Sequence, residues 1–339
     1  MKYKLPILTV GLAIVLLACY SLLGPQKLEL LSVVVPGDGA SNRGAGPPQA
    51  ADFAITDQSP SVLPAEVGST ASLSASGQGL VQQAIKELVK QECLQAEIRQ
   101  QVDLYGHHLV GVGRYRQFFV AGQRHLKLEL KLQVDHQVSS MSQVSDGRHF
   151  WTRLDLPHET SLSRIDLRRV QETVAQQSLT DPVAQSSMWM ALGGLPKLLQ
   201  GLESHFKFSR PQAAQWQEKS VWVTEGTWKP ALVEHYWESH RSMPEYVPGR
   251  VQLVLARDPN IRLFPYRIRF WKSDGVEEKD VVSEKPMMTI EFADITHPSF
   301  FTKKMFQYQR GDQVVIDRTD TFLKHLRNPP WSFVDGTSP

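Results

Sequence analysis

The residues able to do chemistry are few and badly placed for it. His107 and His108 are adjacent, so on a strand their side chains diverge, and on a helix they miss the i, i+4 spacing of a paired metal ligand. Asp155, His158 and Glu159 could mimic an acid–base or metal cluster, but Pro157 sits among them and reads as a solvated loop. Gly111-Val112-Gly113 lacks the third glycine and following helix of a dinucleotide fingerprint, and the chain has neither a P-loop nor a G-x-S-x-G elbow. Two cysteines, Cys19 and Cys93, support neither a disulfide framework nor a cysteine zinc site. Cys19 lies in an apolar run, and Cys93 falls on a helical apolar stripe, where it reads as a packed thiol. Trp216, Trp222, Trp228, Trp237 and Trp271 could line a sugar site, but tryptophans in strands more often pack a core. The expectation is a non-enzymatic protein with no catalytic residues, no metal and no cofactor.

Composition agrees. Of 339 residues 41% are hydrophobic and 21% charged, enough for a sizeable core, and the formal net charge of +2 offers no basic face for nucleic acid. Lys2 and Lys4 precede an uncharged run from Leu5 to Leu23, whose nineteen residues at about 1.5 Å each nearly match a hydrocarbon core of about 30 Å. Three readings of residues 1–24 stay open: a retained signal anchor, a cleaved signal peptide, or a lipoprotein signal in which Leu16-Leu17-Ala18-Cys19 leads to lipidation of Cys19. Residues 25–77 are rich in Pro, Gly, Ser and Ala and read as a disordered linker. The expectation is a bacterial cell-envelope protein, anchored in the inner membrane with its folded part, 78–328, on the periplasmic side, or else secreted or lipid-anchored, with 329–339 as a tail.

The elements that would position a site are mostly strands. A helix is expected from Gly79 to Val102, with Val81, Ala84, Ile85, Leu88, Cys93 and Ala96 on one stripe. The chain then shifts to period two. Leu126, Leu128, Leu130, Leu132 and Val134 alternate with Lys127, Glu129, Lys131 and Gln133, so one face of that strand is apolar. Ser139 to Val144 and Arg148 to Leu154 read as a hairpin turned by Ser145-Asp146-Gly147. Further strands are expected at Ser220 to Thr227, Ala231 to Glu238, Arg250 to Arg257, Tyr266 to Lys272, Met287 to Ile295 and Phe306 to Tyr308. Two helical insertions interrupt them. One starts at a capping box of Ser163 and Asp166; the other covers Met188 to Phe206, restarting at Pro196 after Gly193-Gly194. A last helix is expected near Thr319 to Leu326. The sum is mainly β with helices (α+β), in an antiparallel meander.

Val144-Ser145-Asp146-Gly147-Arg148-His149-Phe150-Trp151 resembles the serine-aspartate-glycine turn and tryptophan strand of the periplasmic lipoprotein carriers of the LolA and LolB type. Lys304-Met305-Phe306-Gln307-Tyr308 is similar to the closing strand of that family. The resemblance covers roughly residues 80 to 325. It implies a curved antiparallel sheet, an incomplete β-barrel closed by helices, with an apolar cavity for lipid or lipoprotein acyl chains. On that reading Leu126, Leu128, Leu130, Leu132, Val134, Phe150 and Trp151 are the cavity wall, and Met188, Met190, Leu195, Leu198 and Leu199 the lid. The partners are then acyl chains, the membrane at the N-terminus and other envelope proteins. A scaffold of the same fold without a lipid ligand is the alternative, and in it the same residues are ordinary core.

Overall fold

The structure is a computed structural model. It describes residues 59–62, 76–104, 107–134, 137–157, 159–176, 190, 193–236, 247–272, 285–309 and 311–327. The apolar run 5–23, Cys19, Met188, His158, Trp237, nearly all of the linker and the tail lie outside them.

Among the described residues, fourteen strands form one large curved, unclosed sheet. They are β1 (Ser61–Val62), β2 (Cys93–Leu104), β3 (His107–Val120), β4 (Gln123–Val134), β5 (Gln137–Ser145), β6 (His149–Leu156), β7 (Glu159–Asp166), β8 (Phe206–Phe208), β9 (Gln212–Trp216), β10 (Lys219–Trp228), β11 (Pro248–Ala256), β12 (Pro265–Lys272), β13 (Met288–Thr296) and β14 (Ile316–Asp317). Two antiparallel meanders, β2 to β7 and β9 to β13, join edge to edge where β13 pairs with β2; β8 pairs with β10, and β14 adds a short parallel rung to β7. The helices are α1 (Gly77–Lys90), α2 (Leu167–Gln176), α3 (Leu195–His205), α4 (Pro230–Tyr236) and α5 (Thr319–Arg327).

Several expected elements shift, each for a local reason. The expected helix 79–102 ends at Lys90, and Cys93 begins strand β2. From Leu94 onward the buried positions alternate (Leu94, Ala96, Ile98, Gln100, Val102), which is a strand period, and pairing with β3 and β13 satisfies both edges of that backbone. Cys93 is therefore a half-buried strand residue opposite Phe118, and burial pushes its thiol pKa up. Ser163 caps no helix, because β7 runs through it to Asp166. The cap of α2 is Asp166, whose Oδ1 accepts the backbone N–H groups of Arg168 and Arg169 at 3.0 and 3.2 Å. Residues 230–236 form helix α4 rather than a strand, with Pro230 in its first turn, where a missing N–H costs nothing. Lys303–Phe306 is a 3-10 turn, so the expected closing strand is absent there.

Helices α1 and α3 pack on each other and on one face of the sheet. Gln78 at the start of α1 donates from Nε2 to the Glu203 carbonyl (2.7 Å) and carboxylate (2.9 Å), Gln82 donates to the same carboxylate at 2.9 Å, and Lys229 Nζ donates to the Glu203 carbonyl. Leu80, Val81, Ala84 and Leu88 of α1 join Leu195, Leu198, Leu199 and Leu202 of α3 in one core. The opposite sheet face carries a second, small cluster, in which Val144, Trp151 and Leu162 are covered by Tyr308 and Val315 from the segment after the 3-10 turn.

Candidate functional site

Register decides which side chains share a face. In an antiparallel pair, residues directly opposite project to the same side. Leu126 pairs with Gln117 and Ser145, Leu128 with Tyr115 and Gln143, Leu130 with Gly113 and Met141, and Leu132 with Gly111 and Ser139. The next strand continues the face with Phe150 opposite Ser145 and Leu154 opposite Met141. The four leucines are 0 to 3% exposed, and they lie in the same core as α1, α3 and Met190. Val134 continues the ladder opposite Leu109 and Gln137.

Trp151 does not belong to this wall. It follows Phe150 on β6, so it points to the opposite face, where its ring stacks on Tyr308 (centroids 5.4 Å, interplanar angle 17°). Its indole N–H donates to Asp146 Oδ2 at 3.2 Å, while Asp146 Oδ1 accepts the N–H groups of Arg148 and His149 at 2.9 and 2.6 Å. The serine-aspartate-glycine turn therefore ties the β5–β6 hairpin to the outer aromatic cluster. Gly147 takes a φ of 86°, the left-handed conformation this turn requires.

Of the expected lid, Met190, Leu195, Leu198 and Leu199 are buried against the wall side of the sheet. The contact is close where α3 begins. Leu195 N–H donates to the buried Tyr115 hydroxyl at 3.4 Å, and burial drives the pKa of that phenol well above the ordinary tyrosine range. Gly194, with φ 73°, lies so near that a Cβ there would stand 2.5 Å from Tyr115 Oη and 2.9 Å from Leu126 Cδ2. Gly193 is also at positive φ, 142°, so two permissive residues precede α3.

The other candidate chemistry is structural. Asp103 Oδ1 lies 2.7 Å from His108 Nδ1 and accepts from Lys285 Nζ at 3.0 Å; burial works against this carboxylate, but its hydrogen bonds from Gln101, His108 and Lys285 hold its pKa below the ordinary range. Asp155 is engaged by Arg153, Thr160 and Ser140. Among the described residues, no three His, Cys, Asp or Glu side chains converge to hold a metal ion, and no helix is long and apolar enough to cross a membrane. Three described tryptophans are packed: Trp216 lies over the buried Arg267 guanidinium at 5.0 Å, Trp228 Nε1 donates to the Pro248 carbonyl at 2.6 Å, and Trp271 stacks with Arg250 at 4.4 Å.

Sequence reading missed the polar residues that share the leucine face. Gln100, Gln117, Gln143, Ser139, Ser145, Thr152 and Ser163 are all buried. No two-residue period marks them in 137–145, because serine and glutamine fill both parities there (Ser139, Gln143 and Ser145 on one, Ser140 and Ser142 on the other), and polarity argued for solvent.

No family model matches the chain, and no curated protein matches it. Among solved structures it is similar to the lipoprotein LppX of Mycobacterium tuberculosis, at 13% identity over 66% of this chain and 96% of that one, with a TM-score of 0.34. It is similar also to LprF of Mycobacterium bovis (11% identity, 67% and 97%, TM-score 0.33) and to an outer membrane lipoprotein-sorting protein domain of Vibrio parahaemolyticus (12% identity, 67% and 95%, TM-score 0.28).

Proposed function

We propose that the protein is a non-enzymatic component of the bacterial cell envelope that holds lipid or lipoprotein acyl chains between β4 and α3. One observation carries the reading: Leu126, Leu128, Leu130 and Leu132 make an unbroken apolar row on one face of an unclosed sheet, and α3 lies over its beginning. Hydrocarbon needs no catalytic group to be held. Each Å² of apolar area removed from water contributes about 25 cal/mol, and a pocket for such a ligand is concave and mostly apolar. Helix α3 meets the wall mainly through leucines, so an acyl chain would exchange for the helix on like terms. The apolar run 5–23 and the linker would hold this domain near a membrane, with Cys19 as a lipidation point if that signal is used.

A second reading is favoured by the tight burial of the same leucines: a membrane-tethered scaffold whose core is already filled. Lipid extraction of the full chain, purified gently from a bacterial envelope, separates the two. A co-purifying acyl species that is lost in Leu128→Gln/Leu130→Gln, with the strand spectrum retained, supports the carrier. A folded, lipid-free protein that takes up no fluorescent fatty acid leaves the scaffold.

A further inference from the structure

The level of the wall at which Leu128 sits does not stay apolar. Across the strands it runs Ala96, Tyr115, Leu128, Gln143, Thr152, Ser163. Gln143 and Thr152 face each other on β5 and β6 and are 1% and 3% exposed. Neither end of the Gln143 carboxamide and not the Thr152 hydroxyl has a hydrogen-bond partner among the described residues. On one side of them stand Ser145 and Phe150, on the other Met141 and Leu154, so three of these four neighbours are apolar. Ser163, next in the row, is already engaged, its hydroxyl donating to the Thr152 carbonyl at 3.5 Å.

A buried donor or acceptor left unmade carries its full desolvation penalty, and an apolar residue of the same shape would remove it. Position 128, in the same row, is such an apolar residue. Two adjacent unmade groups aimed at the acyl face therefore point to an occupant that completes them. We propose that Gln143 and Thr152 form a polar anchor within that face. It would select an amphiphile whose chain carries a neutral group that both donates and accepts a hydrogen bond, an amide or a hydroxyl. This rests on the acyl-binding reading above. The carboxamide offers two N–H donors and one carbonyl, and the hydroxyl can donate and accept. An ester supplies acceptors alone and leaves Gln143 Oε1 bare. A carboxylate brings a charge to a row that holds no cation, where burial of an unpaired charge is costly.

The test uses the full chain in amphipol and measures displacement of a fluorescent apolar probe by dodecane, methyl laurate, 1-dodecanol and lauramide. The expected result is a preference for lauramide and dodecanol over dodecane that is about ten-fold greater in the wild type than in Gln143→Met/Thr152→Val, the worth of one buried hydrogen bond. Methyl laurate should fall between. The same preference in both proteins overturns the anchor, even with tight binding throughout. If no compound displaces the probe, acyl binding itself fails and the anchor with it. A second readout does not depend on the variant folding. The infrared band of carbonyl-labelled lauramide bound to the wild type should sit at its hydrogen-bonded position, and a band at its position in alkane overturns the proposal.

Discussion

At the scale of single residues, three positions hold the site together for different reasons. Leu128 is 1% exposed in the middle of the wall, so Leu128→Ala removes apolar area and leaves a gap. Chemical denaturation should show a loss of about 2–5 kcal/mol, and a loss under 1 kcal/mol would mean that the site collapses easily. Gly194→Ala meets both a positive φ and two close neighbours, Tyr115 Oη and Leu126 Cδ2. It should destabilise by about 1–3 kcal/mol and lift the start of α3 from the sheet, which amide exchange at Leu195 reads directly. Asp146→Ala takes three acceptor contacts from the β5–β6 turn at once. A cost of about 1–3 kcal/mol is expected by denaturation, with quenching of Trp151 altered as its stack on Tyr308 loosens. The alternation of Leu126 to Leu132 and the aspartate-glycine turn were readable in the chain, because both are local: a two-residue period and a left-handed glycine. The side on which Trp151 falls was also readable from parity with Phe150, but it requires that the register be counted through the turn. The burial of Gln143 and Thr152 was not readable, since nothing in their residue types opposes solvent.

At the scale of elements, the clamp between α1 and α3 is a set of hydrogen bonds centred on Glu203. Burial raises the pKa of this carboxyl, but hydrogen bonds from Gln78 and Gln82, with the charge of Lys229, outweigh it and hold the pKa below its ordinary value. A carboxylate depressed in the folded state contributes stability above the unfolded glutamate pKa, about 4.3. That contribution is lost as pH falls from there through the depressed folded value. Amide exchange of α3 should therefore quicken in that acid window, and Glu203→Gln should flatten the dependence. An α3 that exchanges at the same rate through the window would show that Glu203 does not hold it. The limits of local pattern also lie at this scale. Leu88 and Ala96 fit one helical stripe on paper, yet the chain leaves the helix at Lys90 because the strands on either side of β2 offer its backbone a full ladder. Residues 230–236 alternate too weakly to oppose Pro230, which suits a helix start. Where the period was long and strict, as in β4 and α3, element and boundaries agree with the structure to within a few residues.

At the scale of the whole molecule, the decisive contact is β13 with β2, which joins two meanders separated by the helical insertion into one surface. No local signal announces it, because the partners lie almost two hundred residues apart, as in Phe292 opposite Ile98. The mainly β class and the antiparallel character follow from strand spacing, but this edge-to-edge closure follows only from three-dimensional pairing. It sets β4 well inside the sheet, where an apolar row can be covered by helices instead of solvent, and it leaves the sheet open between β1 and β14. Acyl binding would be a property of this curvature, more than of any one residue. The most direct measurement is photo-crosslinking of the full chain with a diazirine-bearing fatty acid, followed by mapping of the adducts by mass spectrometry. The account predicts adducts on β4 and on α3, at or beside Leu126 to Leu132 and Leu195 to Leu199, competed away by unlabelled fatty acid. Adducts confined to the outer face around Trp151 and Tyr308, or labelling that competitor does not reduce, would contradict it.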